Sequence, residues 1–492
     1  MRSSEVTRRA LFKGAAALAL AAGCEPISSL ASTSYEPDLQ LPEARPKVAD
    51  RRFTSEAVEE TIHDVRGRIG DRDLGVLFAN CFPNTLDTTV WPGSFEGKPD
   101  TFVVTGDIEA MWLRDSSAQL WPYLPLLKRD GKLRELVEGV IRRQGRMIRL
   151  DPYANAFMRS PADKPLSWAV EDKTKHIAGV GERKWEIDSL CYPVRLAHGY
   201  WKATGDTAPF DVAWKETAWT IVRTFREQQR KDGQGPYSFQ RSSPVPTDTV
   251  PLSGFGNPAR PVGMIYSMFR PSDDACIYPL FVPANLFAVV SLRQLAELAN
   301  GPLEDTKLAG ECAALADEVE KALAQHGMTD DAKHGRIWAY EVDGYGNVLK
   351  MDDANAPGLL SMAYLKSAKV DDPLYRRTRG YALSEDNPYF FRGTAAEGIG
   401  GPHEGLDMIW PMSIMMRALT VRQTSTDDGE IRQCLRWLRD TTAGTGFMHE
   451  SFRKNDPKEF TRPWFAWANT LYGELILKLT EERPALLAGK IG

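Results

Sequence analysis

The feature that most limits what this chain can fold into is a helical period repeated over most of its length. Leu133, Leu136, Val137, Val140 and Ile141 fall at i, i+3, i+4, i+7 and i+8, which puts them on one face of an amphipathic helix. Similar spacing predicts helices over 54–70, 108–127, 186–204, 209–229, 276–300, 304–325, 404–422, 427–441 and 464–481. Alternating strand patterns are few. The run RIWAYEVDGYGNVLKM (336–351) reads as a small β-hairpin turning near Gly344, Tyr345 and Gly346. Gly-, Pro- and Asp-rich loops such as 231–263 and 386–403 separate the helices, and no sequence repeat of fixed period is present. The pattern predicts an all-α toroid of paired helices with a small hairpin insertion. In such an arrangement the loops at one mouth and the helix N-termini are where chemistry is expected.

The remaining composition narrows the partners. Of 492 residues, 61 are basic and 66 acidic, for a net charge of −5, and no long basic run occurs, which argues against nucleic acid. The N-terminus reads MRSSEVTRRALFKGAAALALAAGC, with Arg8 and Arg9 ahead of a short apolar stretch, the pattern of a twin-arginine export signal. The apolar run 14–23 is too short to span a bilayer, which takes about 20 residues. Cleavage after Ser29-Leu30-Ala31 and lipid attachment at Cys24 are the two fates the sequence allows. The expectation is an exported protein, periplasmic or at the cell surface, with no transmembrane span. Residues 1–31 are assigned to the signal, 32–53 to a Pro-rich polar linker and 54–492 to one catalytic domain. Cys81, Cys191, Cys276, Cys312 and Cys434 lack metal-ligand spacing and read as buried free thiols.

Six segments join acids to aromatics in loops or at helix starts. TGDIEAMWLRDSS (105–117) sets Arg114 and Asp115 beside Trp112, with Gly106 and Asp107 suited to a turn and helix cap. WEIDSLCYP (185–193) brings Glu186 and Asp188. FRPSDDA (269–275) carries Arg270 and the adjacent Asp273 and Asp274. These two could cap a helix, but both cannot serve one cap, and of two close carboxylates one has its pKa raised. MDDANAP (351–357) brings Asp353 and Asn355, TAAEGIGGPH (394–403) brings Glu397 and His403, and MHESF (448–452) with FTRPWFAWAN (460–469) brings His449, Glu450, Arg462 and Trp464. Glycoside hydrolysis needs this combination. One carboxylic acid protonates the leaving oxygen, a second carboxylate activates water or attacks, and aromatics with charged pairs hold the sugar.

At these residues the chain resembles glycoside hydrolase family 125, the exo-acting α-1,6-mannosidases. TGDIEAMWLRDSSAQLWPYL, WEIDSLCYP, FRPSDDA, MDDANAPGLL, GIGGPH and MHESF…FTRPWFAWAN follow the family's motifs in order from about residue 75 to 480. The resemblance implies an (α/α)6 barrel and an inverting, metal- and cofactor-independent mechanism on non-reducing terminal α-mannosides. It implies that the general acid is Asp273 or Asp274, with Asp274 preferred, and that the general base is Glu450. An inverting pair stands about 6.5–9.5 Å apart. Trp112, Arg114, Asp115, Glu186, Asp188, Arg270, Asp353, Asn355, Glu397, His403, His449, Arg462 and Trp464 are the candidates for holding the sugar. Two other readings use the same residues: another (α/α)6 α-glycosidase, such as a glucoamylase-like enzyme, and a non-catalytic glycan-binding lipoprotein. Turnover of α-glucobiose would favour the first, and the absence of turnover the second.

Overall fold

The computed structural model describes residues 40–422, 424 and 428–491; the arginine pair, the apolar run and Cys24 lie outside the described residues. Among the described residues fifteen α-helical segments follow in order. They are α1 (Glu56–Arg68), α2 (Arg72–Cys81), α3 (Asn84–Thr88), α4 (Leu113–Leu120), α5 (Gly131–Leu150), α6 (Asp188–Thr204), α7 (Val212–Glu227), the single turn α8 (Pro251–Gly254), α9 (Val282–Asn300), α10 (Thr306–His326), α11 (Pro373–Ala382), α12 (Pro411–Leu419), α13 (Asp428–Asp440), α14 (Ala466–Glu482) and α15 (Pro484–Ala488).

The helices fall into two kinds, and the difference is legible in their first residues. α1, α2, α5, α7, α10 and α11 each begin at a Ser or Asp whose side chain accepts from the first turn: Ser55, Asp71, Asp130, Asp211, Asp305 and Asp372. Five others, α4, α6, α9, α12 and α14, start without a side-chain cap, from Trp112, Ile187, Phe281, Trp410 and Phe465. Every residue of α4 is buried, as is most of α6, α9, α12 and α14, so these helices are covered on nearly all sides. α14 packs on α4, α4 on α6, α6 on α9 and α12 on α14, and the 3-10 turn Leu360–Met362 touches both α9 and α12. The capped helices lie against these: α5 on α4 and α6, α10 on α9, and α2 on α14. Uncapped N-termini leave backbone N–H groups and a partial positive charge at the loops that precede them, a setting that favours carboxylates.

The structure departs from the sequence reading in three places. Residues 40–53 are docked instead of forming a free linker. Leu41 is buried and its N–H donates to Asp73, Ala44 N–H donates to Asn80, and Arg45 bridges Glu59 and Asp87. Strands are also more numerous than expected, in six small sheets. The longest hairpin pairs Val90–Phe95 with Lys98–Val103 about Glu96-Gly97, both at positive φ as a two-residue turn requires. The expected 336–351 hairpin is divided: Glu341–Val342 pairs with Val348–Leu349 and also with Leu280–Phe281, while Gly335–Trp338 turns back onto Met328–Asp331. Finally, the helices expected over 108–127, 276–300 and 404–422 begin only at Leu113, Val282 and Pro411, the last a residue whose missing N–H and fixed φ suit a first turn. The five described cysteines are buried and free, as read from the sequence. Among the described residues no helix is long and apolar enough to cross a membrane.

Candidate active site

Three of the small sheets abut the uncapped helix starts and fix the loops that carry the acids. Met111–Trp112 pairs with Ala156–Phe157, which pairs with Val180–Glu182. This ties the 105–117 segment to Asn155 and to the 183–188 segment. Leu280–Phe281 anchors the 270–276 turn, and Met408–Ile409 pairs with Ser451–Arg453, holding the strand that follows Glu450 beside the 401–407 loop.

Arg114, in the first turn of α4, is buried at the centre of a carboxylate cluster. Its Nη1 lies 2.6 Å from Glu186 Oε2 and 3.2 Å from Asp188 Oδ2, its Nη2 is 3.8 Å from Asp273 Oδ1, and its Nε is 3.4 Å from Asp115. One guanidinium cannot neutralise three buried carboxylates and a fourth that is partly exposed, so part of the charge must be removed by protonation. Burial pushes Glu186 far above the ordinary carboxylate range despite Arg114, and Asp273 and Asp188 add to the shift. Burial also pushes Asp188 up to about 6 and raises Asp115, which accepts the Thr105 hydroxyl. Burial alone would raise Asp273 too, but Lys184 and Arg114 overcome it and hold Asp273 below the usual range. Glu186 and Asp273 stand against the same guanidinium and shift each other, Asp273 raising Glu186 and Glu186 lowering Asp273. Two carboxyl groups so placed titrate as a coupled pair, with the proton held more readily by Glu186.

The FRPSDDA segment is a tight turn, not a helix cap. Asp273 N–H donates to Arg270 O at 2.9 Å and Arg270 N–H donates to Asp274 O at 2.8 Å. Asp273 takes a left-handed φ of 65°, an uncommon conformation that Asp tolerates better than most residues. Lys184 Nζ holds the Asp273 carbonyl at 2.7 Å and Asn155 Nδ2 donates to its carboxylate at 3.3 Å. The turn sends the two carboxylates apart. Asp273 faces Arg114 and Glu186, whereas Asp274 lies 3.8 Å from His403 Nδ1 and interacts with Asp353. Arg270 braces the turn from beneath, donating from Nε to buried Glu341 at 2.6 Å.

His403 joins the two ends of the site. Burial opposes its charge, but Asp274, Glu404 and Glu450 outweigh this and push the imidazole up to about 10. Glu450 is buried, its Oε1 3.3 Å from Arg462 Nη1, and Arg462 also bonds the Thr105 carbonyl and Asp107. Asp107 therefore pairs with Arg462 and does not cap α4. Contacts run in a circuit from Asp273 through Arg114, Asp115, Thr105 and Arg462 to Glu450, and His403, which Glu450 also influences, pairs with Asp274. Beside it run Trp410, Phe465 and Trp467 in successive edge contacts, with Arg114 over Trp467 and Arg462 over Phe465. Buried polar atoms with no protein partner gather here: Asp353 Oδ2, Glu450 Oε2, Trp112 Nε1 and Trp410 Nε1. Such atoms are rare inside proteins and suit a ligand rich in hydroxyls.

Most of the residues singled out in the sequence come together. Trp112, Arg114, Asp115, Glu186, Asp188, Asp273, Asp274, Asp353, His403, Glu450 and Arg462 belong to this circuit or touch it. Asn355 donates to Asp353, and half-buried Trp464 lies by Gly106. Two residues do not fit. Glu397 is consumed by Arg392 and Arg417 in a separate ion-pair network, and His449 has both ring nitrogens against the carbonyls of Thr442 and Arg462 while stacking on Phe460. His449 is a structural support for Glu450. Asp352 is committed as well, accepting the N–H groups of Leu359 and Leu360. Sequence reasoning does not reach Asn155, Lys184 or Trp410. Asn155 has no acid motif around it, and only its place between two strands gives it a role.

Asn469 on α14 positions the Glu450 segment. Its Oδ1 accepts from Met448 N–H at 2.8 Å and its Nδ2 donates to Asn84 at 3.0 Å. Asn469→Ala leaves both buried partners unpaired and is expected to lower stability by about 2–3 kcal/mol. Urea unfolding, read as a lower midpoint at unchanged slope, checks this.

Comparison with known proteins agrees with the geometry. The family model for metal-independent α-mannosidases, GH125, matches residues 71–477. The meiotically up-regulated gene 157 protein of Schizosaccharomyces pombe is 44% identical over 468 residues, covering 91% of this chain and 90% of that one. A metal-independent α-mannosidase from Streptococcus pneumoniae, solved in a non-productive complex with α-1,6-mannobiose, superposes with a TM-score of 0.83 at 40% identity, over 87% of this chain and 99% of that one. With the family model spanning most of its length, the chain belongs to the GH125 family and is a glycoside hydrolase of the α-mannosidase class.

Proposed function

We propose that this protein is an exo-acting α-1,6-mannosidase that releases the non-reducing terminal mannose with inversion, using Glu450 as general base and Asp273 as general acid. The observation that carries the reading is a run of contacts from Asp273 through Arg114, Asp115, Thr105 and Arg462 to Glu450, which brings the 270–274 turn and Glu450 to one site although far apart in sequence. Asp273 is favoured over Asp274 because it has 24% of its side chain exposed, against 3% for Asp274, and because it stands across Arg114 from Glu186, whose carboxyl burial pushes far above the ordinary range. In this reading the proton held by the Glu186–Asp273 pair passes to the glycosidic oxygen while Glu450 takes one from a water on the opposite face. Arg114, Asp115, Asp188, Asp353 and Arg462 bind the sugar hydroxyls, and Trp410, Phe465 and Trp467 meet its apolar face. The α-1,6 preference rests on the mannobiose held by the pneumococcal relative. The run of helix contacts supports an (α/α)6 toroid as the scaffold. The Arg8-Arg9 segment supports export to the periplasm or cell surface, with Cys24 the point of attachment if the protein is lipid-anchored.

The test is the anomer of the first product. Incubation with α-1,6-mannobiose in EDTA, followed by proton NMR, is expected to show β-mannose before mutarotation. α-Mannose as first product overturns inversion. Preferential release of glucose from α-glucobiose points to a glucoamylase-like enzyme, and binding without turnover to a lectin-like protein.

A further inference from the structure

The loop 160–178 crosses the Asp273 side of the site and carries Trp168, one of the few large apolar side chains left open, at 43% exposure. The loop is seated firmly on the site itself. Leu166 and Ala169 pack with Ala110, Trp112 and Ala156 in a small separate apolar cluster. The indole N–H of Trp168 donates to Glu182 Oε1 at 3.0 Å. Glu182 is buried and accepts from Asn155 at 3.0 Å, and the same Asn155 amide reaches Asp273 at 3.3 Å. Arg241 holds Glu182 Oε1 at 2.9 Å and Asp172 Oδ2 at 2.6 Å, so the base of the loop is clamped. Two intervening side chains thus connect an exposed indole to the proposed proton donor.

From this arrangement we infer that Trp168 is the platform for the sugar on the reducing side of the bond that is cut, a subsite for the leaving group. The inference rests on the proposed function. The proton donor defines the side on which the leaving group departs, and Trp168 is tied to that donor. Its one polar atom is already used by Glu182, so the part left exposed is apolar ring surface. A ring face fixed in this way suits the apolar C–H face of a pyranose, since its conformational entropy has been spent in folding. A cleft of about 270 Å3 opens along the same loop, bordered by Pro165, Ala169 and His176, with Asp172 and Glu182 in its wall already held by Arg241. In this reading the terminal mannose sits among the buried charged residues and the sugar behind it meets the ring of Trp168.

The experiment compares α-1,6-mannobiose, whose leaving group is a sugar, with α-mannosyl fluoride, whose leaving group is an ion. Trp168→Ala is expected to lower kcat/KM on the disaccharide about tenfold, mostly through KM, the scale of one lost aromatic contact. Turnover of the fluoride stays within twofold of wild type, which also shows that the variant is folded. Trp168→Phe, which keeps a ring face, recovers most of the disaccharide activity. Equal losses on both substrates make Trp168 a structural support and overturn the inference, as does an unchanged disaccharide rate. A wild-type enzyme that releases mannose from neither substrate overturns the function and this subsite with it.

Discussion

Glu450→Gln is expected to lower kcat on α-1,6-mannobiose by about 1,000- to 10,000-fold, the upper part of the range for loss of a general base. The substitution changes one oxygen to an amide nitrogen in a buried position. The Gln carbonyl can still accept from Arg462, now 3.3 Å from Glu450 Oε1, and the anchoring bonds at Met448, His449 and Ser451 involve other atoms. The melting temperature should therefore stay within a few degrees while turnover collapses. KM should move little, because the lost interaction acts on the attacking water and not on the bound sugar. A residual rate within fivefold of wild type would remove Glu450 from the chemistry and leave Arg462 as its reason for being there.

Much of this site is legible in the amino-acid sequence because its chemistry is concentrated in short acid–aromatic strings. Arg114-Asp115, Asp273-Asp274 and Glu450 each stand in a string whose composition makes little sense as simple surface or core. The helices are legible for a similar reason: α5 shows its apolar face over 20 residues, enough turns for the period to register. What escapes are features set by long-range partners. Sheets of two- and three-residue strands, such as Met111–Trp112 with Ala156–Phe157, are too short to display alternation. Asn155 lies in a stretch with no distinguishing residues and acquires its role by meeting Glu182 and Asp273 from elsewhere in the chain. His449 and Glu397 fail for the converse reason. Their strings resemble the others, but the fold supplies nearby carbonyls for one and two arginines for the other, leaving nothing for a sugar.

Asp273→Asn is expected to lower kcat on α-1,6-mannobiose by about 1,000-fold, within the general-acid range, and on α-mannosyl fluoride by less than about tenfold. The contrast between substrates is the informative part. A sugar alkoxide must be protonated as it leaves, whereas fluoride needs far less help, so loss of the acid is felt only with the poor leaving group. Asp274→Asn should show no such contrast: it weakens the pairing with His403 and lowers both rates together. Glu186→Gln separates the coupled titration from geometry. The Gln side chain keeps the shape of Glu186, but it has no proton to relinquish. Asp273, already held low by Lys184 and Arg114, then loses its proton at lower pH than in the wild-type pair. Activity needs the protonated form, so it is present below the pKa of the pair and lost as pH rises through it. The alkaline limb of kcat/KM for Glu186→Gln should accordingly move to lower pH by about one unit or more, a shift on the order of a charge–charge coupling between neighbours. If the leaving-group contrast appears in Asp274→Asn and not in Asp273→Asn, the two aspartates exchange roles. The proton of the Glu186–Asp273 pair then serves only to make two close carboxylates tolerable beside Arg114.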